Sequence, residues 1–179
     1  LGLLARIFGR ATPQLRDAEG IYAKLMTQSR HPAFFGNGKI TDSYDGRIEL
    51  LTLHMTPFIT ALRKFGPDGA LLSQALYDVM RDDFDIALRE EGISDTGVAR
   101  RIKPMMTLFF TRVRDFDAAL QSEDGGKSIS HILSHKPDEP VVIDFANRVG
   151  RYSADFYTII NGLSLEAISQ AQFNFPELD

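Results

Sequence analysis

Leu76–Lys103, LYDVMRDDFDIALREEGISDTGVARRIK, is the stretch whose reading decides the fold. Projected as a helix, it places Leu72, Leu76, Val79, Ile86 and Ala87 on one face and Asp78, Asp82, Asp85 and Arg89 on another, the pattern of an amphipathic helix with an acidic stripe. Gly92, just after Glu90 and Glu91, is placed to end that helix, and Ser94 or Asp95 to cap a second one carrying Arg100, Arg101 and Lys103. The reading is therefore helix, tight turn, helix. Between Asp78 and Asp95 seven acids face two arginines, so this hairpin carries −5, while the whole chain carries −4. The negative charge is concentrated here.

Asp83 departs from the pattern, because it falls in the apolar arc between Val79 and Ala87, where a carboxylate needs a partner to offset its desolvation. It is expected to be a buried structural charge, paired with a cationic or N–H donor from another helix. Arg47, Arg101, Lys103 and His54 are the candidates.

Outward from the hairpin the helical period continues. Thr12-Pro13 reads as the cap and first residue of a helix through Tyr22, Leu25 and Met26 to about Ser29, ended by His31-Pro32. Pro32–Asp42 reads as a loop whose Phe34 and Phe35 belong in the core. Ser43 caps a helix with the face Tyr44, Ile48, Leu51, Met55, Phe58, Leu62 and Phe65, kinked at Pro57 and stopped by Gly66-Pro67. His54 reads as a hydrogen-bonded residue at the edge of that face. Beyond the hairpin, Val98, Ile102, Met105, Phe109, Val113, Phe116 and Leu120 form one stripe, and Pro104 predicts a kink near Arg100. Met105, Met106, Phe109 and Phe110 have the composition of a haem or lipid pocket, but at helical spacing they read as core.

Ser122–Ser128 is a polar turn before a short helix, Ser128–His135. Its His131 and His135 stand at i and i+4, a metal-gripping spacing, yet no third ligand is near and they read as surface residues. Asp138, with Glu139 and Pro140 in the first turn, is expected to open the last long helix, whose face is Val141, Val142, Phe145, Val149, Tyr152, Phe156, Ile159 and Ile160 up to Asn161-Gly162. Ser164 caps a final turn through Ile168, and the phenylalanines of the stretch Phe173–Asp179 pack back. The sum is a single all-α domain over residues 1–179, an irregular bundle of about six helices with kinked long helices. Residues 1–11, rich in Leu and Arg, read as an arm that packs on the domain or touches a membrane.

Composition narrows the function. With 44% hydrophobic residues and a mean hydropathy of −0.13, 179 residues make one sizeable core. A pI near 5.6 argues against sequence-independent nucleic-acid binding. The absence of cysteine excludes disulfides and thiolate chemistry. Asp78, Asp82 and Asp85 share a face that could hold Mg²⁺, but an acidic stripe with an Asp85–Arg89 pair is an ordinary solvated surface. No phosphate-binding glycine loop or nucleophile elbow occurs, so neither enzyme, metal nor cofactor is expected. The chain begins at Leu1 and not Met, so a preceding piece is expected and targeting is not read from it.

The run L-Y-D-x-M-x-x-D-x-D-x-x-L-R-E-x-G-x-x-D followed by R-x-K resembles the signature of the ubiquinol-cytochrome c chaperone family. Its residues here are Leu76, Tyr77, Asp78, Met80, Asp83, Asp85, Leu88, Arg89, Glu90, Gly92, Asp95, Arg101 and Lys103. The resemblance extends upstream through Tyr44–Met55 and downstream to Phe175-Pro176. It implies a helical, non-enzymatic assembly factor for respiratory complex III that binds newly made cytochrome b, alone or with a second assembly factor. The place implied is the cytoplasmic face of a bacterial inner membrane or the matrix face of the mitochondrial one, with peripheral membrane contact and no nucleic acid bound directly. Asp78, Asp85, Arg89, Glu90, Asp95, Arg101 and Lys103 are then the partner-binding candidates, since most project away from the apolar stripes. A metal- or haem-handling helical protein and a purely structural helical subunit are the alternatives.

If Asp83 is a buried half of an ion pair, Asp83→Ala should cost on the order of 3 kcal/mol in denaturant unfolding.

Overall fold

The computed structural model describes residues 12–135 and 141–178. Among these residues seven α-helices follow one another: α1 (Pro13–Ser29), α2 (Tyr44–Leu62), α3 (Gly66–Glu90), α4 (Asp95–Leu120), α5 (Gly125–Ser134), α6 (Ile143–Asn161) and the short α7 (Leu165–Ser169). Single 3₁₀ turns at Pro32–Phe34 and Arg63–Phe65 join some of them. Among the described residues there is no sheet, only an isolated bridge between Phe35 and Ile40. The all-α bundle expected from periodicity is the fold observed.

Local chemistry sets most of the helix ends. The Thr12 hydroxyl accepts from the Leu15 N–H with Pro13 in the first turn, and the Ser43 hydroxyl accepts from the Gly46 N–H at 3.1 Å. At the hairpin, Gly92 has φ +79°, its N–H reaches the Arg89 carbonyl at 2.9 Å, and the Ile93 N–H reaches Leu88 at 3.2 Å. Those two bonds close a Schellman motif, which a left-handed glycine makes inexpensive. Ser94 occupies the cap of α4, yet its hydroxyl faces Thr96 and bonds no helix N–H. The last long helix begins at Ile143, later than expected from Asp138, and Val142 is tied instead to the loop before α2 through its N–H to the Gly38 carbonyl at 2.9 Å. Asp138, Glu139 and Pro140, like the arm at 1–11, lie outside the described residues.

Helix α2 is the axis of the molecule. Fifteen of its residues are buried, Gly46 to Leu62 with few exceptions, so past its first turn it has no solvent face. Two core lobes form against it. One joins Ile48, Leu51, Met55 and Phe58 to α1, α3, the first half of α4 and Phe173. The other joins Leu50 and Leu53 to Phe34, Phe116, α5 and α6. Helices α2 and α4 run through Pro57 and Pro104 without interruption. Close contact between α5 and α6 depends on Gly150, where a Cβ would stand 2.2 Å from the Gly126 carbonyl oxygen.

Two expectations about faces are corrected. In α3 the buried stripe is Gly69, Leu72, Leu76, Met80, Phe84 and Leu88, whereas Val79 and Ile86 are half-buried and Ala87 is exposed. A strict four-residue step wins over the alternating three-and-four step, as when ridges of i±4 residues mesh between helices. His54 is no edge residue but fully buried. Its Nδ1 is 2.7 Å from the Leu50 carbonyl, which must receive a proton, so Nε2 is left to accept from the Tyr152 hydroxyl at 2.8 Å. The Gln28 amide in turn donates to Tyr152 at 3.1 Å, so one polar string crosses α1, α6 and α2.

Burial holds the His54 imidazole neutral, with its pKa lowered to about 4, against a small opposing effect from the Leu50 carbonyl. A depressed pKa means the contribution is complete above the unfolded value near 6.5 and disappears as pH falls towards 4. Over that window the wild type should lose about 3 kcal/mol more than a His54→Gln variant in urea unfolding. Parallel loss in the two proteins would refute the assignment.

Candidate functional site

The start of α2, the end of α1, the second half of α3 and the first half of α4 converge on one apolar groove. Its inner cavity, about 130 Å³, is floored by Ile48, Leu51 and Phe84. Its outer part, about 520 Å³, lies over Leu108 and Pro104. Tyr44, Leu88 and Met105 line both and form the boundary between them. Tyr44 opens α2 half exposed, and its hydroxyl donates to the carboxylate of Glu91 at the end of α3. That hydrogen bond raises the phenol's pKa above its ordinary value.

Charged groups rim this groove. Arg47 is held by Asp42 with contacts of 2.6 and 3.2 Å, whereas Arg30 and Arg101 make no ion pair among the described residues. Asp83 lines the inner cavity and is half-buried. The expected cationic partner is a correction: Asp83 accepts from the Tyr22 hydroxyl of α1 at 2.8 Å, and none of Arg47, Arg101, Lys103 and His54 bonds it. Sitting beside the buried stripe and not within it, the carboxylate retains water and needs only a neutral donor. The cost falls on the phenol, whose pKa is raised by burial first and by Asp83 second.

The seven partner-binding candidates separate into two sets. Arg89 spends its guanidinium locally, on Asp85 one turn back and on Asp95 across the turn, and so clamps the Gly92 connection. The Asp85 contact is the first cause of its raised pKa. Asp78 accepts from the Gln74 amide at 2.9 Å. Glu90, Arg101 and Lys103 point outward without an ion pair among the described residues, and Arg101 lies on the groove wall. The structure thus brings Arg101 to the groove, whereas Asp85, Arg89 and Asp95 serve the turn.

Sequence reasoning missed Tyr44 as a wall, and it missed a buried charge. Glu49 on α2 is 1% exposed, and its Oε1 lies 3.2 Å from Arg112 Nε on α4, an ion pair without hydrogen-bond alignment. The signal was present in Ile48–Leu62, where almost no polar face exists and any acid must be enclosed. Of the four residues expected in the core, Met106 and Phe109 are buried there, whereas Met105 borders the groove and Phe110, a correction, is 54% exposed. His131 and His135 stack with centroids 4.0 Å apart, and no group of three or more potential metal ligands occurs among the described residues.

Comparison with known proteins gives two matches. The family model described as "Ubiquinol-cytochrome C chaperone" matches residues 37–175, which include the α2, α3 and α4 residues of the groove but not those of α1. The crystal structure of the Cbp3 homolog from Brucella abortus superposes with a TM-score of 0.77 over 98% of this chain and 97% of that one, at 23% identity, a likeness of fold. None of the curated proteins matches the chain.

With a hydroxyl as its partner, Asp83→Ala should cost about 1–2 kcal/mol, less than a stranded charge would. Tyr22→Phe should cost a similar amount, and a double-mutant cycle in denaturant should return a coupling of about 1 kcal/mol. Additive losses would show that the pair does not interact.

Proposed function

Because the chain belongs to the ubiquinol-cytochrome c chaperone family, we propose that it is an assembly chaperone for ubiquinol-cytochrome c reductase whose client is newly made cytochrome b. The observation that carries the reading is the extent of the family match, which spans every α2, α3 and α4 residue of the groove. Chaperoning by binding needs an apolar surface kept in solution by a charged rim, and the groove offers Leu88, Met105 and Leu108 between Glu91 and Arg101. Methionine in such a floor adapts to different side chains. Exposed charges of both signs orient a client more than they tighten it. In this reading Glu90 and Arg101 do the orienting, while Asp85, Arg89 and Asp95 keep the hairpin in place.

No helix among the described residues is long and apolar enough to cross a membrane. In this reading a client that is itself a membrane protein is met at the bilayer surface, on the cytoplasmic face in a bacterium or the matrix face in a mitochondrion.

The test is capture from native membranes with a Glu90→Arg, Arg101→Glu variant. Both side chains are exposed, so melting should change by less than about 0.5 kcal/mol equivalent. Recovery of cytochrome b should fall strongly, and raised salt should produce the same loss with the wild type. Wild type that never recovers cytochrome b defeats the client assignment. A variant that recovers it normally defeats the orienting role of the rim.

A further inference from the structure

Helix α4 has a third face, used neither by the core nor by the groove. Met106, Phe109 and Phe116 point into the core, and Pro104, Met105 and Leu108 border the groove. Arg100, Lys103, Thr107, Phe110 and Arg114 recur at three- and four-residue steps along the remaining side, and all five are exposed. The stripe is about 21 Å long. At its centre Phe110 is 54% exposed and rests on Tyr77 of α3 with ring centroids 5.4 Å apart. Arg81, one turn beyond Tyr77, adds a cation from the neighbouring helix.

Folding does not account for these charges. Arg81, Arg100 and Lys103 make no ion pair among the described residues. Arg114 meets only its neighbour Asp115 at 3.0 Å, an exposed contact. The nearby acids are largely occupied elsewhere: Asp85 by Arg89, Asp117 by Arg63 at 2.8 Å and by the Thr60 hydroxyl at 2.6 Å. Asp78, with Gln74 as its partner, and Asp82 are the acids left next to Tyr77 and Arg81 along α3. A protein of net charge −4 thus keeps a local row of cations around one outward phenylalanine.

We propose that this stripe is where the chaperone rests on an anionic phospholipid surface, with Arg81, Arg100, Lys103 and Arg114 against the headgroups and Phe110 inserted among the upper acyl carbons. The charge complementarity is to a surface and not to a point, because the cations are spread along a helix instead of converging on one ligand. An aromatic ring at the water–lipid boundary adds a contribution that salt does not screen. With α4 lying on the bilayer, the groove opens to the side, where a membrane-inserted client would present its exposed segments. The proposal takes from the preceding reading only that a bilayer is at hand.

Flotation of the purified protein with vesicles tests it, using phosphatidylcholine alone or with about one third phosphatidylglycerol. Wild type should float with the anionic vesicles, remain behind with the neutral ones, and be released by raised salt. Arg81→Glu with Arg100→Glu should weaken flotation on the order of tenfold or more, and Phe110→Ser should weaken it at low salt as well. Both variants should melt as the wild type does and still capture cytochrome b from detergent extracts, so failure here is separable from failure of the client assignment. Equal flotation on neutral and anionic vesicles, undiminished flotation of the charge-reversed protein, or binding to an RNA oligomer in preference to the vesicles would each overturn the proposal.

Discussion

A helix buried on every side can carry polar groups only if each finds a partner inside the protein, and α2 meets that condition residue by residue. Glu49 has Arg112, and His54 has Leu50 and Tyr152. Thr52 and Thr56 return their hydroxyls to carbonyls one turn back at 2.7 and 2.8 Å, and Thr60 reaches Asp117. An unpaired group at any of these positions would cost about 1–3 kcal/mol, a large fraction of a typical domain's stability. The positions of α1, α4 and α6 around α2 follow from this requirement as much as from apolar packing. The string from Gln28 through Tyr152 to His54 sets the height of two of them.

That arrangement explains the location of the groove. The start of α2 emerges from the core at Tyr44, where the surrounding helices diverge and the apolar lining continues into solvent. Its charged rim is supplied by the ends of α1 and α3 and the beginning of α4. The Gly92 turn, held by its two backbone bonds and by Arg89, fixes the distance between α3 and α4 and hence the width of the opening.

What could be read from the sequence was what neighbouring residues decide. The Thr12 and Ser43 caps, the Gly92 stop and the Ser164 cap depend on chemistry within four residues, and the structure agrees at each. Facing was less legible. The α3 stripe was displaced towards Val79 and Ala87 because two helical projections fit the same residues, and only the partner helices select one. Asp83 was assigned a cation because a phenol as distant in sequence as Tyr22 leaves no local trace. The groove is a meeting of four helices, so no single segment announces it, although Tyr44–Met55 and Leu76–Lys103 contribute much of its lining.

The stretch after α7 is clipped to α1. Lys24 donates to the carbonyls of Ala171 and Phe173 at 2.9 and 2.8 Å and sits over the Phe173 ring, while Phe175 closes on His54. On the ribosome, these partners emerge some 147 residues after Lys24. Until then, Phe58, Phe156 and the His54 ring lack part of their cover, and loop closure over such a separation is slow. A chaperone built this way completes this part of its core only once the stretch after α7 has been made, so until then the nascent chain is in a state that would profit from protection.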